Sequence, residues 1–410
     1  MKKNRLLAIP GAFVPTNDTV TLITYKHLRQ QDYDIKVMAL EATSDQSLKK
    51  QLSSDHYFNK FNIEYIAKYD ETIATFEKKN IIQGIINMFR YVKACIKEAN
   101  SNEYQVVYTS SIPAFTHVAG YFIKRKFKTK IKWVASFSDP LLKSPYKYDK
   151  ESFREYSLLA KIGFIGYITI YMSGMYEKIA MKNADEIIYI SEQQKEFMIS
   201  NYSLRHREML EQKSTIIPLN YIPEWKLYDD MINSTKTEAN HPLVVAHFGR
   251  VYGLRQIGDL LLALYELKTE YPRLEDYIVF HQYGELIKRY QKMIQDYQLE
   301  SVFVYHDKIP YEEVTQKMIE CDVLALFDTI TKGKQPYLPS KTLECILMKK
   351  EIFAISPSNC PAAELLSSLG YTCTEYSVFD IKERIKDLIK NELKTYDYEL
   401  SAFENKKYHF

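Results

Sequence analysis

The sequence predicts an α/β fold built on parallel sheets and divided into two domains, and three observations lead there. Short runs rich in Ile and Val alternate with longer amphipathic segments, which is how buried parallel strands joined by crossover helices read. That series occurs twice, with one polar stretch between the two copies. The length, 410 residues, suits two domains at roughly 100–200 residues each.

In the first half the strand-like runs are Leu6–Pro10, Ile35–Leu40, Gln105–Tyr108, Ile131–Phe137, Glu186–Ile190 and Thr215–Leu219. Most end in Ser, Thr, Pro or Asp, as strands do when they hand over to loops. Between them, Ile81, Ile85, Met88, Val92 and Ile96 fall close to one helical face. The pattern breaks over residues 224–242, where Asp229-Asp230, Asn233-Ser234 and Glu238-Ala239-Asn240 precede His241-Pro242. This reads as an interdomain linker. Strands are then expected at Leu243–Phe248, Tyr277–His281, Val302–Tyr305, Val323–Phe327 and Ile352–Ile355. Helices are expected at Ile257–Lys268, Glu285–Tyr297, Tyr311–Glu320, Ser340–Lys349, Pro361–Ser368 and about Ile381–Leu393. The expected organisation is therefore a domain over residues 1–223, a linker over 224–242, a second domain over 243–393 and a tail over 394–410. Each half reads as a Rossmann-like unit, and two such units can turn the carboxyl ends of their strands toward a central cleft, where ligands bind.

Composition excludes several classes. Hydrophobic residues at 46% and charged residues at 26% can form packed cores. A net charge of +3 without a long basic run argues against nucleic acid as a partner. The five cysteines are odd in number and form no CxxC pair, which speaks against a disulfide scaffold or zinc site and for a reducing compartment. The basic start and short apolar run of Met1–Pro10 read as a first strand rather than a leader. Ile162–Tyr176 is uncharged over 15 residues, short of the roughly 20 a spanning helix needs. With Lys161 and Lys178 beside it, this stretch has two readings, a membrane-resting helix or a buried core helix. Lys124-Arg125-Lys126 likewise reads as an anionic-surface contact or, more simply, a solvated helix end. The expected location is cytoplasmic, with peripheral membrane contact left open.

Two segments carry chemistry. In Pro336–Pro361, Pro339 and Ser340 would open a helix, and a helix start offers free N–H groups to a diphosphate. Lys341 adds a charge there, and Glu344, three residues on, shares its face and can accept two ribose hydroxyls. After Leu243–Phe248 come Gly249, Arg250 and, five residues later, Arg255, a pair of guanidiniums suited to a diphosphate. Taken alone, the two segments read more simply as a capping motif with an ion pair and as a solvated loop. Asp32-Tyr33-Asp34 spells a DxD but lies between a helix and a strand, at the sheet end away from a cleft. No GxGxxG, Walker motif or His-x-x-x-His appears. His117, near Pro113, reads as a helix histidine.

Together the two segments resemble the donor half of retaining GT-B glycosyltransferases of family four. There the first C-terminal strand ends in Gly-Arg with a basic residue about five positions on, and a Pro-Ser-Lys...Glu segment follows later. The matches are Gly249, Arg250 and Arg255 (in place of the usual Lys), then Pro339, Ser340, Lys341 and Glu344. Cys321-Asp322 before Val323–Phe327 and Asn183-Ala184-Asp185 before Glu186–Ser191 resemble further family segments, as more faintly do Ser110-Ser111-Ile112-Pro113 and Phe137-Ser138-Asp139-Pro140. Pro10-Gly11 stands where members carry a Gly-rich loop near the donor phosphates. Many members have two Glu with seven residues between them; the first position here is Pro336.

The resemblance implies a bacterial glycosyltransferase acting in polysaccharide or glycoconjugate synthesis. Its donor would be a nucleotide diphosphate-sugar, UDP-linked, and its acceptor a glycan, a lipid-linked sugar or a protein. Gly11, Gly249, Arg250, Arg255, Pro339, Ser340, Lys341 and Glu344 would bind the donor. Arg250 and Arg255 would stabilise the leaving diphosphate, and Asp139 would orient or deprotonate the acceptor hydroxyl. No cofactor or metal is expected, since cations stand where a metal would. Two alternatives remain: a non-catalytic GT-B-fold partner subunit and a UDP-sugar 2-epimerase.

Overall fold

The computed structural model describes residues 4–68, 81–148, 164–234, 242–331, 333, 335–394 and 396–410. The chain divides into two compact units, Met1–Ile222 with Asn405–Phe410, and Pro223–Glu404. Both are parallel α/β sheets.

The first unit carries strands β1 (Arg5–Ala12), β2 (Asp34–Glu41), β3 (Phe61–Lys68), β4 (Val106–Ser110), β5 (Lys132–Ser136), β6 (Glu186–Tyr189) and β7 (Ser214–Ile216). Their order is β3-β2-β1-β4-β5-β6-β7, parallel throughout. The Ile/Val runs became central strands because both their faces are covered: β4 is buried along its whole length. β3 had no such run. It is a half-exposed edge strand with Glu64 and Lys68 among its residues, and edge strands tolerate charge.

Helices α1 (Thr19–Leu28) and α2 (Gln46–Ser54) belong to the β1–β3 half, each with an Asp side chain accepting from its first turn. Helices α3 (Ile81–Ser101), α4 (Thr116–Phe127) and α6 (Phe164–Asn183) form a layer in which α4 packs against both others; the four-residue α5 (Pro145–Tyr148) lies between α4 and α6 in the chain. Helices α7 (Glu192–Ser200) and α8 (Leu204–Gln212) complete the unit. The apolar stretch 162–176 falls partly outside the described residues; from Phe164 onward it is α6, with Ile170 buried and Ile168 and Tyr171 exposed. Among the described residues no helix is long and apolar enough to cross a membrane.

α4 approaches the sheet closely because Gly120 has no side chain: a Cβ there would lie 2.5 Å from Trp133 Nε1. Trp133 is fully buried and donates from Nε1 to Thr109 Oγ1 at 2.9 Å. At the other side of the sheet the chain returns as a strap. The Asn405 backbone N–H donates to Tyr221 O, and its Nδ2 donates to Lys26 O. Tyr408 packs edge-on against His27, Phe410 lies over Tyr108, and Lys407 pairs with Asp32.

The second unit carries β8 (Leu243–Phe248), β9 (Ile278–Tyr283), β10 (Phe303–His306), β11 (Val323–Phe327), β12 (Glu351–Ile355) and β13 (Cys373–Thr374), in the order β10-β9-β8-β11-β12-β13. Its helices are α9 (Lys226–Ile232), α10 (Gly258–Glu270), α11 (Lys288–Asp296), α12 (Tyr311–Glu320), α13 (Lys341–Leu347), α14 (Pro361–Ser368) and α15 (Val378–Lys390). α9 falls in the stretch expected to be a linker; residues 235–241 of that stretch lie outside the described residues. At the start of β12, Glu351 is buried, pairs with Arg384, and accepts from the Tyr396 hydroxyl at 2.9 Å.

Two substitutions test this packing. Gly120→Ala should cost about 1–3 kcal/mol by overpacking against Trp133, read as a lower urea midpoint; an unchanged midpoint would mean α4 does not sit this close. Glu351→Ala strands Arg384 without its buried partner and should cost about 3–5 kcal/mol, measured the same way.

Candidate functional site

In a parallel sheet whose strand order reverses, the two loops leaving the adjacent central strands turn to opposite faces and open a crevice beyond the carboxyl ends. The second unit reverses between β8 and β11. The sequence places Gly249, Arg250 and Arg255 just after β8, and Asp328 just after β11. The connection from β11 to β12 then contains Pro339, Ser340, Lys341 and Glu344.

His247, the last residue but one of β8, is buried at this point. Its Nδ1 donates to Gln282 Oε1 at 2.8 Å, and its ring stacks on Phe327 with centroids 4.5 Å apart. Burial, then the Arg255 charge, and more weakly that of Lys341, lower its pKa to about 3, against the pull of the Gln282 hydrogen bond. His247 is therefore neutral, with two cations close enough to be felt. Arg255 Nη1 donates to Arg250 O at 2.9 Å and passes 3.9 Å from where a Gly249 Cβ would stand. Arg255 Nε is buried and has no hydrogen-bond partner. Such a donor is costly to leave unmade.

Asp328 is fully buried. Burial raises its pKa, opposed by the Thr329 N–H, the Ser356 hydroxyl and the Arg255 charge. It accepts from Thr329 N at 2.7 Å and from Ser356 Oγ at 2.9 Å, tying the β11 loop to the end of β12. Lys341 and Glu344 form an ion pair with side chains 27% and 14% exposed, so its electrostatics are only partly screened. Ser340 holds the N-cap position with helical backbone and makes no side-chain cap, and α13 is only seven residues long. The expected Ser340 cap is thus absent, and the side chains rather than the helix start carry the charge here. Pro339 and Ser340 are half-buried, and Pro336 is buried. Arg250 is 61% exposed on its side chain, 3.6 Å from Glu285 and over the Tyr252 ring.

The second unit thus gathers Gly249, Arg255 and Lys341 around His247, while Arg250 points to solvent. Gly11 and Asp139 belong to the first unit, whose strand order reverses between β1 and β4. Gly11 sits at φ +80° under Pro113; a Cβ there would meet Pro113 Cδ at 2.2 Å. Its N–H donates to the Tyr91 hydroxyl at 3.1 Å, so that donor is already used within the unit. Asp139 is half-buried and follows Ser138, whose backbone N–H donates to Ser111 Oγ at 3.2 Å. His117 is buried, held by Thr109, with its pKa lowered by burial to about 3.

Sequence reasoning missed His247, Gln282, Asp328 and Gly284. The signal available for the first three was polar residues at the ends of apolar strands, where a buried strand has no other reason to carry them. Gly284 at φ +114° allows close approach, since a Cβ there would lie 2.7 Å from Gly249 O. The DxD pair stays at the amino end of β2, with Asp32 on Lys407 and Asp34 3.4 Å from Arg5.

No family model matches the chain, and no curated protein is similar to it. Solved structures are. Sucrose-phosphate synthase from Thermosynechococcus elongatus aligns with a TM-score of 0.61 at 12% identity, over 94% of this chain and 90% of that one. HepE of Anabaena, solved in complex with UDP and glucose, aligns at 0.56 and 15% identity, over 95% and 90%. A glycosyltransferase from Rickettsia africae aligns at 0.58 and 14% identity, over 95% and 88%. At such identities the likeness establishes the fold, and the fold is GT-B, with two Rossmann-like domains.

A pH dependence follows from His247. An unfolded histidine titrates near 6.5, while the folded one is held to about 3. Below pH 6.5 the unfolded chain therefore takes up a proton that the folded chain refuses. The stability from this group is present above 6.5 and is lost as pH falls toward 3. At pH 5 the loss should be about 2 kcal/mol relative to pH 7. Urea unfolding of His247→Gln should show an acid-induced loss smaller by that amount; equal losses in parent and variant would mean the imidazole protonates freely when folded.

Proposed function

We propose that the chain is a glycosyltransferase that moves a sugar from a UDP-linked donor to a glycan, lipid-linked or protein acceptor. The observation that carries this reading is Arg255. Its guanidinium is held by Arg250 O, its buried Nε lacks an acceptor, and Lys341 lies within electrostatic reach of the same histidine. Two cations beside a neutral imidazole, at the reversal of a parallel sheet, suit a dianion. The fold supports the same reading, because HepE of that fold was solved with UDP and glucose.

In the proposed reaction the bond from the sugar C1 to the diphosphate oxygen breaks, and negative charge builds on the leaving phosphate. Arg255, Lys341 and the exposed Arg250 stabilise that charge where it develops, the main electrostatic contribution such a site makes. Lys341 exchanges Glu344 for phosphate, and Glu344 turns its oxygens to the ribose hydroxyls. Gly249 lets the chain pass close to the diphosphate; Pro339 and Ser340 set the entry to α13. Asp139 orients or deprotonates the acceptor hydroxyl, which attacks C1 from the face the nucleotide leaves, with retention. No divalent ion is required in this scheme, since side-chain cations meet the phosphates and Asp32 and Asp34 lie at the amino end of their strand.

Calorimetry with UDP tests the donor site. Arg255→Ala, Lys341→Ala and Glu344→Ala should each weaken binding by about 1.5–3 kcal/mol, the loss of a charge-assisted contact. Variants that fold and bind like the parent would overturn the assignment, and a parent that binds no UDP would point to a non-catalytic partner subunit. Sugar transfer, or hydrolysis of the donor, should continue in excess EDTA; activity lost there and restored by Mn²⁺ or Mg²⁺ would contradict the proposed chemistry.

A further inference from the structure

The helix layer of the first unit carries a feature that the donor chemistry does not use. α3, α4 and α6 lie side by side, and each turns one stripe inward to the sheet. The inward stripes are Tyr91, Cys95 and Ala99 on α3, Ala119 and Ile123 on α4, and Ile170, Glu177 and Ala180 on α6, all buried. The opposite stripes are ordered along the helices. On α3, Ile85, Ile86 and Phe89 come first, with Phe89 65% exposed, and Arg90, Lys93 and Lys97 follow. On α6, Ile168 and Tyr171 come first, with Tyr171 67% exposed, and Lys178 and Lys182 follow. On α4, Phe122 precedes Arg125 and Lys126.

The three helices run the same way, because α3 and α4 each lead back from the carboxyl end of one parallel strand to the amino end of the next, and α6 leads into the amino end of β6. Exposed apolar side chains are therefore concentrated toward the end of the layer where the strands finish. Cations are concentrated toward the other end, about 20 Å away along α6. Among the described residues of these helices the acidic side chains are Glu98 and Glu177. Glu98 accepts from Asn102 and Tyr104, and Glu177 is buried and accepts from Leu141 N and Leu142 N. Among the described residues of these helices, the outward stripes therefore carry positive charge without an acidic residue on them.

We propose that this face docks on an anionic lipid bilayer, with the Phe89, Phe122, Ile168 and Tyr171 side chains entering the headgroup region and the lysines and arginines held by acidic headgroups. An aromatic and aliphatic patch of this kind suits an apolar partner, and a row of exposed cations suits an anionic one; an acidic bilayer supplies both. A second copy of the chain would set cations against cations. The inference does not depend on the nucleotide-sugar reading, because it concerns vesicle binding alone.

Flotation of the full chain with vesicles tests it, using equal parts phosphatidylglycerol and phosphatidylcholine against phosphatidylcholine alone. The parent should float with the acidic vesicles at low ionic strength, less so at high salt, and not with the neutral ones. Lys93→Ser with Lys178→Ser should weaken binding by at least about tenfold, at roughly fivefold for each cation removed. Phe89→Ser with Tyr171→Ser should weaken it comparably. These side chains are exposed, so the variants should keep the parent's circular dichroism and melting behaviour. A parent that does not float, or floats equally when both pairs are replaced, overturns the proposal. A parent that instead sediments as a dimer, and becomes monomeric in the Phe89/Tyr171 variant, assigns the face to a second copy and overturns it too.

Discussion

Everything in the second unit follows from one constraint: parallel strands cannot pair through tight turns, so each connection must cross back over a sheet face. When the order reverses, as it does between β8 and β11, neighbouring connections leave toward opposite faces. The strand ends at that seam are left with no helix directly above them. Polar groups from separate connections meet there and bond to one another, as His247 does to Gln282 and Asp328 to Ser356. His247, Asp328, Arg255 and Lys341 come from separate parts of the sequence, and the seam is what makes them neighbours.

Their arrangement also separates positioning from charge. Neutral, buried groups hold the frame: His247 on Gln282 and Phe327, and Gln282 in turn donating from Nε2 to Gly249 O at 2.7 Å. Asp328 ties two strand ends together through Thr329 and Ser356. The cations stand at the margin of this frame, where they are only partly desolvated. Lys341 is offset by its pairing with Glu344, whereas the buried Arg255 Nε is left without an acceptor, a cost that a bound acceptor would relieve.

The order of elements was legible because both sheets are covered on both faces, so nearly every central strand announces itself as an Ile/Val run. What escaped was local or relational. β3 carries Glu64 and Lys68 because it is a half-exposed edge strand, and β13 is two residues long. Ser340 looked like a cap by residue type, yet its backbone is already helical, so its hydroxyl is not placed to receive the first-turn N–H groups. Arg255 was legible as a charge five residues after Gly249, but its missing acceptor is a fact about packing. Gly11 was legible as a loop glycine, whereas its role under Pro113 and its bond to Tyr91 depend on residues about 80 to 100 positions away. The gradient on the helix layer needs three helices aligned in space, which no single periodicity displays.

The strap formed by Asn405–Phe410 has a bearing on how the protein comes into being. Lys26, His27 and Asn220 are buried beside it, and Tyr108 is covered by Phe410. These residues are translated before any of the strap exists. A nascent chain builds its domains from the amino end, so the first unit must wait, with that surface still wet, while all of the second unit leaves the ribosome. The earliest-made half of the molecule is thus among the last to be finished, and its completion reports that the other half has been made.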